Sequence, residues 1–393
     1  MGRGVIGRAR GSVLRALLAV VPALLVPAAP ALGVSVSVVG PQQIVYDWDT
    51  MRCDDFDLPD GPVQAFRDAS GRIQLITPPA RRMIGPNFDS LTRDCQTFIT
   101  AQHDPDPAHF DDLRWIVGTY TENGTDIYAL VHVEYHGLEH PGGCPGGVFN
   151  RCRYNGVTLA QSHDGGQTYS TPPTDFVAAL PYRSVPDAGR YGFFSPSNLI
   201  KRGSYYYSML LSTGYLGEDS GVCLMRTQNL NDPTSWRAWD GGSFSVRFKN
   251  PYYERVEPEN QLCEPISPDQ ILQMERSVVF DAALNKYIVV GVSGKFDSSR
   301  NALVWGLYFS VSDDLVHWSM RQLLMETPTI ATHQCGDPDV LTYPSLIDRD
   351  SADRNFRVTD NTMDLYYTVV HYNAACQATF ESDLVRVPIQ FSP

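Results

Sequence analysis

Ser277-Val-Val-Phe-Asp-Ala-Ala-Leu-Asn-Lys-Tyr-Ile-Val-Val290 carries two runs of β-branched and aromatic residues on either side of Ala-Ala-Leu-Asn285, a stretch that suits a turn. It reads as a β-hairpin, and the same phrase returns along the chain. Val63–Ile76 repeats it around Ala69-Ser-Gly71, and Leu113–Tyr120 with Ile127–Val133 repeats it around a polar loop. Ser197–Leu210 and the pair Ser345–Asp348 with Asp364–Val370 complete a set of five. Five hairpins in about 360 residues leave roughly 70 residues per repeat, enough for a four-stranded sheet with long loops, as in propeller arrays.

A second phrase follows three of these hairpins, ending a strand with Ser or Thr, then Asp or Asn, then an aromatic residue. It appears as Ser162-His-Asp-Gly-Gly-Gln-Thr-Tyr169, as Thr227-Gln-Asn-Leu-Asn-Asp-Pro-Thr-Ser-Trp236 and as Ser312-Asp-Asp-Leu-Val-His-Trp318. The polar side chain is suited to bonding the amides of the turn while the aromatic ring packs over the sheet.

The composition agrees with many short strands. Glycine (31), proline (28) and tyrosine (20) are plentiful, and 43% of the 393 residues are hydrophobic, which excludes a disordered or collagenous chain. The 44 acidic residues against 31 Lys and Arg argue against a nucleic-acid partner, because phosphate contacts need clustered bases. Arg3, Arg8, Arg10 and Arg15 precede an apolar run from Ala16 to Val26, and Ala29-Pro30-Ala31 offers a small-x-small cleavage site. Residues 1–33 therefore read as a signal peptide and 34–393 as a single propeller domain, secreted or periplasmic, with no membrane span once the leader is removed. Without the leader, 27 bases face 44 acids. All eight cysteines lie beyond it, an even set that reads as up to four disulfides in an exported protein. Spacing alone does not choose the pairing; the sequential one joins Cys53 to Cys95, Cys144 to Cys152, Cys223 to Cys263 and Cys335 to Cys376. No CxxC pair supports structural zinc.

Ser312–Trp318, together with Asn285-Lys-Tyr-Ile-Val-Val290, resembles the blade signature of the five-bladed β-propeller glycosidases, the furanosidase-like group of arabinanases, xylosidases and invertases. Ser162–Tyr169 is similar to the Asp-box of sialidases, which are six-bladed. The resemblance implies an all-β, five-bladed β-propeller, with six blades as the alternative, and a glycoside hydrolase acting on an oligo- or polysaccharide. It further implies a first-blade Asp as base, at Asp60 or Asp57, and an acid from a middle blade. This chain departs from that pattern, with Ser195 at the corresponding place.

A propeller gathers its ligand site where the inner strands begin. Glycoside hydrolysis there needs one carboxylate as base or nucleophile and one protonated carboxyl for the leaving oxygen. Asp57 and Asp60 precede the first hairpin, and Glu275 and Arg276 precede the fourth. His132-Val-Glu134-Tyr-His136 places imidazoles and a carboxylate at one strand end. Each has a plainer role beside the catalytic one: turn capping for Asp57 and Asp60, an ion pair for Glu275, an exposed strand end for Glu134. His132, His136 and His140 recur every four residues, but Ile127–Tyr135 alternates as a strand, where such positions stand about 13 Å apart. They do not grip one metal without a bend, so no cofactor is expected. Calcium on Asp104-Pro-Asp106 or Asp337-Pro-Asp339 stays open, without EF-hand spacing. Arg67, Arg226 and Arg276, with Arg82 and Arg255 nearby, are candidates for a substrate carboxylate, against salt bridging as the competing role. Tyr191, Phe193 and Tyr343 are candidate aromatic platforms at the mouth. A non-catalytic glycan- or protein-binding propeller is the alternative function.

Overall fold

Each of the five hairpins corresponds to a strand pair in the computed structural model, which describes residues 33–172 and 175–393. Among these residues the strands form five successive antiparallel sheets, with helix confined to single turns. The first sheet orders Gln64–Arg67, Ile73–Thr77, Arg81–Gly85 and Thr92–Asp94. The second follows with Leu113–Tyr120, Ile127–His136, Cys152–Ser162 and Phe176–Ala178. In the third, Gly189–Phe194 and Ile200–Arg202 both pair with Tyr205–Tyr215, which leads to Glu218–Thr227, Arg237–Trp239 and Phe244–Val246. The fourth runs Ser277–Asp281, Lys286–Asp297, Ala302–Ser312 and Gln322–Glu326, with the short strand Val358–Thr359 added in parallel on the Ser277–Asp281 edge. The fifth takes Val340–Ile347, Thr362–Tyr372 and Ala378–Ser392, and its outer edge is completed by Ser35–Val38 and Gln43–Tyr46 from the other end of the chain.

The apolar faces show how the sheets stand to one another. Phe66 and Ile76 of the first sheet pack with Ile116 and Leu130 of the second, and that core continues to Leu210 and Met225 of the third. Met209 and Leu224 pack with Val278 and Val289 of the fourth, whose Val279 and Ile288 meet Leu346 and Leu365 of the fifth. Ile347 and Tyr366 then return to Ala65 and Leu75 of the first. Face-to-face packing that comes back to its starting sheet is a β-propeller, and it removes the exposed flat faces that an open sheet would leave.

The turn phrases act as their residue types dictate. In Ser312–Trp318 the Asp314 carboxylate accepts the amides of Val316 and His317 (2.9 and 2.8 Å), and Ser312 Oγ accepts those of Asp314 and Leu315. Trp318 is buried and donates its indole N–H to the Leu315 carbonyl. In Ser162–Tyr169, Asp164 accepts the amides of Gln167 and Thr168, and Tyr169 is buried.

One departure concerns the third sheet. Its inner edge begins at Gly189, ahead of the expected start at Ser195-Pro196, and these two residues break that edge instead. Gly189–Phe194 also runs parallel to Cys152–Asn155, a contact that joins the second and third sheets edge to edge. Gly192 makes this approach feasible: its φ is +121°, and a Cβ there would collide with the Asn155 carbonyl.

Four disulfides are present, Cys53–Cys95, Cys144–Cys152, Cys223–Cys263 and Cys335–Cys376, the sequential pairing. No helix among the described residues is long and apolar enough to cross a membrane. The expected leader, residues 1–32 of it, lies outside the described residues.

Glu218 is a costly feature of the third sheet. It is buried, accepts the Cys263 amide at 3.2 Å, and pairs with no Lys or Arg among the described residues. Burial, with Asp219 and Glu264 nearby, pushes its carboxyl up to about 8. A folded value above the ordinary 4.5 means that the native state holds the proton more tightly than the unfolded chain. Its contribution is therefore complete below pH 4.5 and is lost as pH rises toward 8. Glu218→Gln is expected to stabilise the protein by about 1–3 kcal/mol at pH 8 and to change little at pH 4. Thermal melts at the two pH values check this, and an equal shift at both would contradict it.

Candidate functional site

A cleft of about 540 Å³ opens at the hub, lined by the second to fifth sheets and by the segment that leads into the first. Asp60 reaches it from the segment before the first sheet, and Trp115, His132, Glu134 and Arg153 from the second. Arg190, Phe194 and Thr213 come from the third, Arg276 from the start of the fourth and Tyr343 from the fifth. Inner strands feed these side chains inward because their ladders break there. The register slips between Ile116 and Gly118 and between Thr342 and Ser345, and Ser195 and Tyr343 take positive φ values of 23° and 52°. Left-handed backbone at non-glycine residues is uncommon and concentrates at functional sites.

Asp60 is held by two donors from different sheets. Trp115 Nε1 donates to one carboxylate oxygen (3.2 Å) and the Tyr343 hydroxyl to the other (2.8 Å). The Asp60 charge, followed by burial, raises the Tyr343 phenol well above its ordinary range, so Tyr343 remains a donor. Asp60 thus faces the cleft as a positioned carboxylate.

Glu134 is the hub of a second network. Strand alternation in Ile127–His136 puts His132, Glu134 and His136 on one face, and the carboxylate sits between the two rings, 2.9 Å from His132 Nε2 and 2.7 Å from His136 Nε2. Asn155, its direct cross-strand partner, donates to it at 3.0 Å, and Arg153 binds the same carboxylate. Burial alone would raise the Glu134 carboxyl, but the hydrogen bonds from His132 and His136 hold it well below the usual range. His132 Nδ1 accepts the Ser195 amide (3.2 Å), so its proton lies on Nε2, and burial depresses its ionisation. His136 differs: burial opposes its charge, yet Glu134 and Glu139 bind both ring nitrogens and raise it. The two histidines therefore clasp a carboxylate in the space where an ion would have to sit.

Glu275 is buried and stands outside the cleft lining, behind Arg276, whose guanidinium lies 3.2 Å from it. Burial pushes its carboxyl up to about 7, against the pull of Arg276. Arg276 also lies over the Tyr343 ring, 5.4 Å from its centroid.

Other candidates lie elsewhere. Asp57 is buried in an ion-pair cluster with Arg93 and Arg81, and it accepts the Cys53 amide. Arg67 bonds the Asp353 carbonyl and covers the Phe356 ring, and Arg226 is packed on Tyr205 and Phe244. Arg82 pairs with Asp94, and Arg255 is exposed. Tyr191 and Phe193 point into the core, because in Gly189–Phe194 the alternate residues Arg190 and Phe194 face the cleft. Asp104 binds His109, Asp106 caps a single helical turn, and Asp337 and Asp339 bind the Gln334 amide and His371, so these loops spend their carboxylates within the chain. Cys144, Cys152 and Asp187 cluster, but the two sulfurs are bonded to each other.

Trp115, Arg153, Arg190 and Asn155 are the site residues that sequence reading missed. Their signal is cross-strand: once Glu134 is placed, antiparallel register puts Asn155 opposite it and Arg153 opposite His136.

No protein-family model matches this chain, and no curated protein matches it. Among solved structures it is similar to the α-L-arabinanase of Cellvibrio cellulosa complexed with arabinohexaose, at 12% identity over 82% of this chain and 91% of that one, TM-score 0.43. It is similar to an exo-1,5-α-L-arabinanase from a bovine ruminal metagenomic library, at 12% identity over 85% and 95%, TM-score 0.44. It is also similar to a Bombyx mori β-fructofuranosidase mutant in complex with sucrose, at 13% identity over 88% and 62%, TM-score 0.43. These neighbours are glycosidases by name, and likeness at this level transfers no residue and no chemistry to the chain.

Proposed function

We propose that the protein is an exported glycoside hydrolase whose reaction takes place in the hub cleft, with Asp60 as the working carboxylate. The observation that carries this reading is the placement of Asp60, open to the cleft and oriented by Trp115 and Tyr343 from two other sheets. A carboxylate held in this way can accept a proton from water or attack an anomeric carbon. Trp115 and Phe194 offer ring faces for a sugar. Glu134, locked as an anion, serves to fix Arg153 and the histidines rather than to donate a proton. Glu275, whose carboxyl burial pushes up to about 7, is the candidate acid near the cleft, and this role requires Arg276 to move aside before Glu275 can reach a leaving oxygen. The four disulfides support an oxidising compartment.

A glycan-binding role without hydrolysis is the second reading. It is favoured by one observation: the carboxylates that line the cleft, Asp60 and Glu134, do not include Glu275. Incubating the chain without its leader with a panel of plant and microbial polysaccharides separates the two. Hydrolysis predicts new reducing ends on at least one polymer, with a rate that falls as pH rises through about 7, where Glu275 ionises. Retention of a polymer without release would support binding alone.

A further inference from the structure

The parallel contact between the second and third sheets has an electrostatic consequence. It sets Arg190 directly beside Arg153 in register, and both side chains face the cleft. Like charges opposite one another are unfavourable, and Arg276 faces the same space from the fourth sheet. Arg153 is neutralised by Glu134. Arg190 has no carboxylate partner among the described residues; its guanidinium lies over the Phe194 ring, 4.1 Å from the centroid. Among the described residues, Arg276 has one carboxylate within ion-pair distance, Glu275 at 3.2 Å, and burial pushes that carboxyl up to about 7, so the cation is only partly compensated near neutral pH. Arg190 is exposed to solvent at the cleft, and partial desolvation followed by the nearby Arg153 lowers its guanidinium from the ordinary value.

We infer that Arg190 and Arg276 receive an anionic group of the glycan, so that the substrate of this cleft carries a carboxylate or an ester oxyanion on a sugar unit. The inference rests on the glycan reading above but not on hydrolysis. A protein of strongly acidic composition has abundant carboxylates with which to neutralise a surface arginine, and here 44 acids leave Arg190 unmatched. Guanidinium groups present parallel N–H pairs that match the two oxygens of a carboxylate, and a shared face of two such groups selects for charge at one place on the ligand. A neutral polysaccharide, by contrast, would cover the two guanidinium groups without adding a charge to pair with them, a desolvation cost that an acidic unit offsets.

Calorimetric titration of the Asp60→Asn protein tests this, because that variant is not expected to consume its ligand. The probes are trigalacturonate, its fully methyl-esterified neutral form, and galactose 6-sulfate beside galactose. At least one acidic probe is expected to bind about 10-fold or more tightly than its neutral counterpart, with affinity falling as salt rises. Preference within the trigalacturonate pair assigns the anion as a uronate, and preference within the sulfate pair assigns it as an ester; either supports the inference. Arg190→Gln should abolish the preference and Arg190→Lys should restore part of it, each with a melting temperature close to that of the parent. Equal affinity for acidic and neutral probes, no binding of either acidic probe at millimolar concentration, or a preference that survives Arg190→Gln would overturn it. Acid preference without sugar release from any polymer would sink the hydrolase reading and leave this one standing.

Discussion

On the proposed hydrolase reading, Asp60→Asn is expected to leave a folded protein whose release of sugar from its polymer falls by about 10²–10⁴-fold, the range that a positioned general base or its equivalent contributes. The substitution keeps the shape of the side chain and one accepting oxygen for the Trp115 indole or the Tyr343 hydroxyl. The hydroxyl can itself accept from the new amide, so the local geometry changes little. What is lost is the negative charge, and with it the ability to take a proton or attack carbon. Initial rates of reducing-end release, compared with wild type at matched protein and polymer concentrations, give the ratio. A thermal melt on the same samples distinguishes lost chemistry from lost structure, since Asp60 contributes no apolar packing. Release that persists at wild-type rate would remove Asp60 from the mechanism.

Glu134→Gln is expected to lower the unfolding free energy at pH 7 by about 3–5 kcal/mol, the usual cost of removing one partner from a buried ion pair. Arg153 would be left without its buried counter-charge, His136 would lose the main partner that raises its ionisation, and the new amide would point a donor at groups that are donors themselves. The shape of the stability curve carries a second signature. Glu134 has a folded value well below 4.5, so its contribution is present above about pH 4.5 and disappears as the solution is acidified. His136 has a folded value above 6.5, so its contribution is complete below pH 6.5 and disappears as pH climbs through the folded value. Both limbs depend on the same carboxylate and should become shallower together in the variant. Urea titrations from about pH 2 to pH 9 measure this, and unchanged limbs would show that the network holds its charge by other means.

The architecture was legible because its signals are local. Runs such as Val278-Val-Phe280 and Tyr287-Ile-Val-Val290 flank turn residues, and no distant part of the chain is needed to read them. Asp60, Glu134, His132, Arg276 and Tyr343 were legible for a related reason, since each lies on or beside a readable inner strand. What separates Asp60 from Asp57 is not local: Arg93, 36 residues further on, folds back to bind Asp57. The error over Tyr191 and Phe193 is one of phase, because a strand read one residue out of step exchanges its core and cleft faces. Arg153 beside Arg190 depends on a parallel contact between sheets, and neither strand's pattern announces it. Ser195, which breaks the third inner edge, illustrates the same limit, since its amide is spent on His132 of another sheet.

Because Ser35–Val38 and Gln43–Tyr46 are laid along Ala378–Ser392, the ring is latched by its own two ends. During synthesis the leading strands have no partner until the fifteen-residue strand Ala378–Ser392 has emerged, so the circle stays unlocked until then. Trimming residues 35–46 would unlatch the finished protein in the same place and bare the flank of its final strand to pairing with a neighbour's.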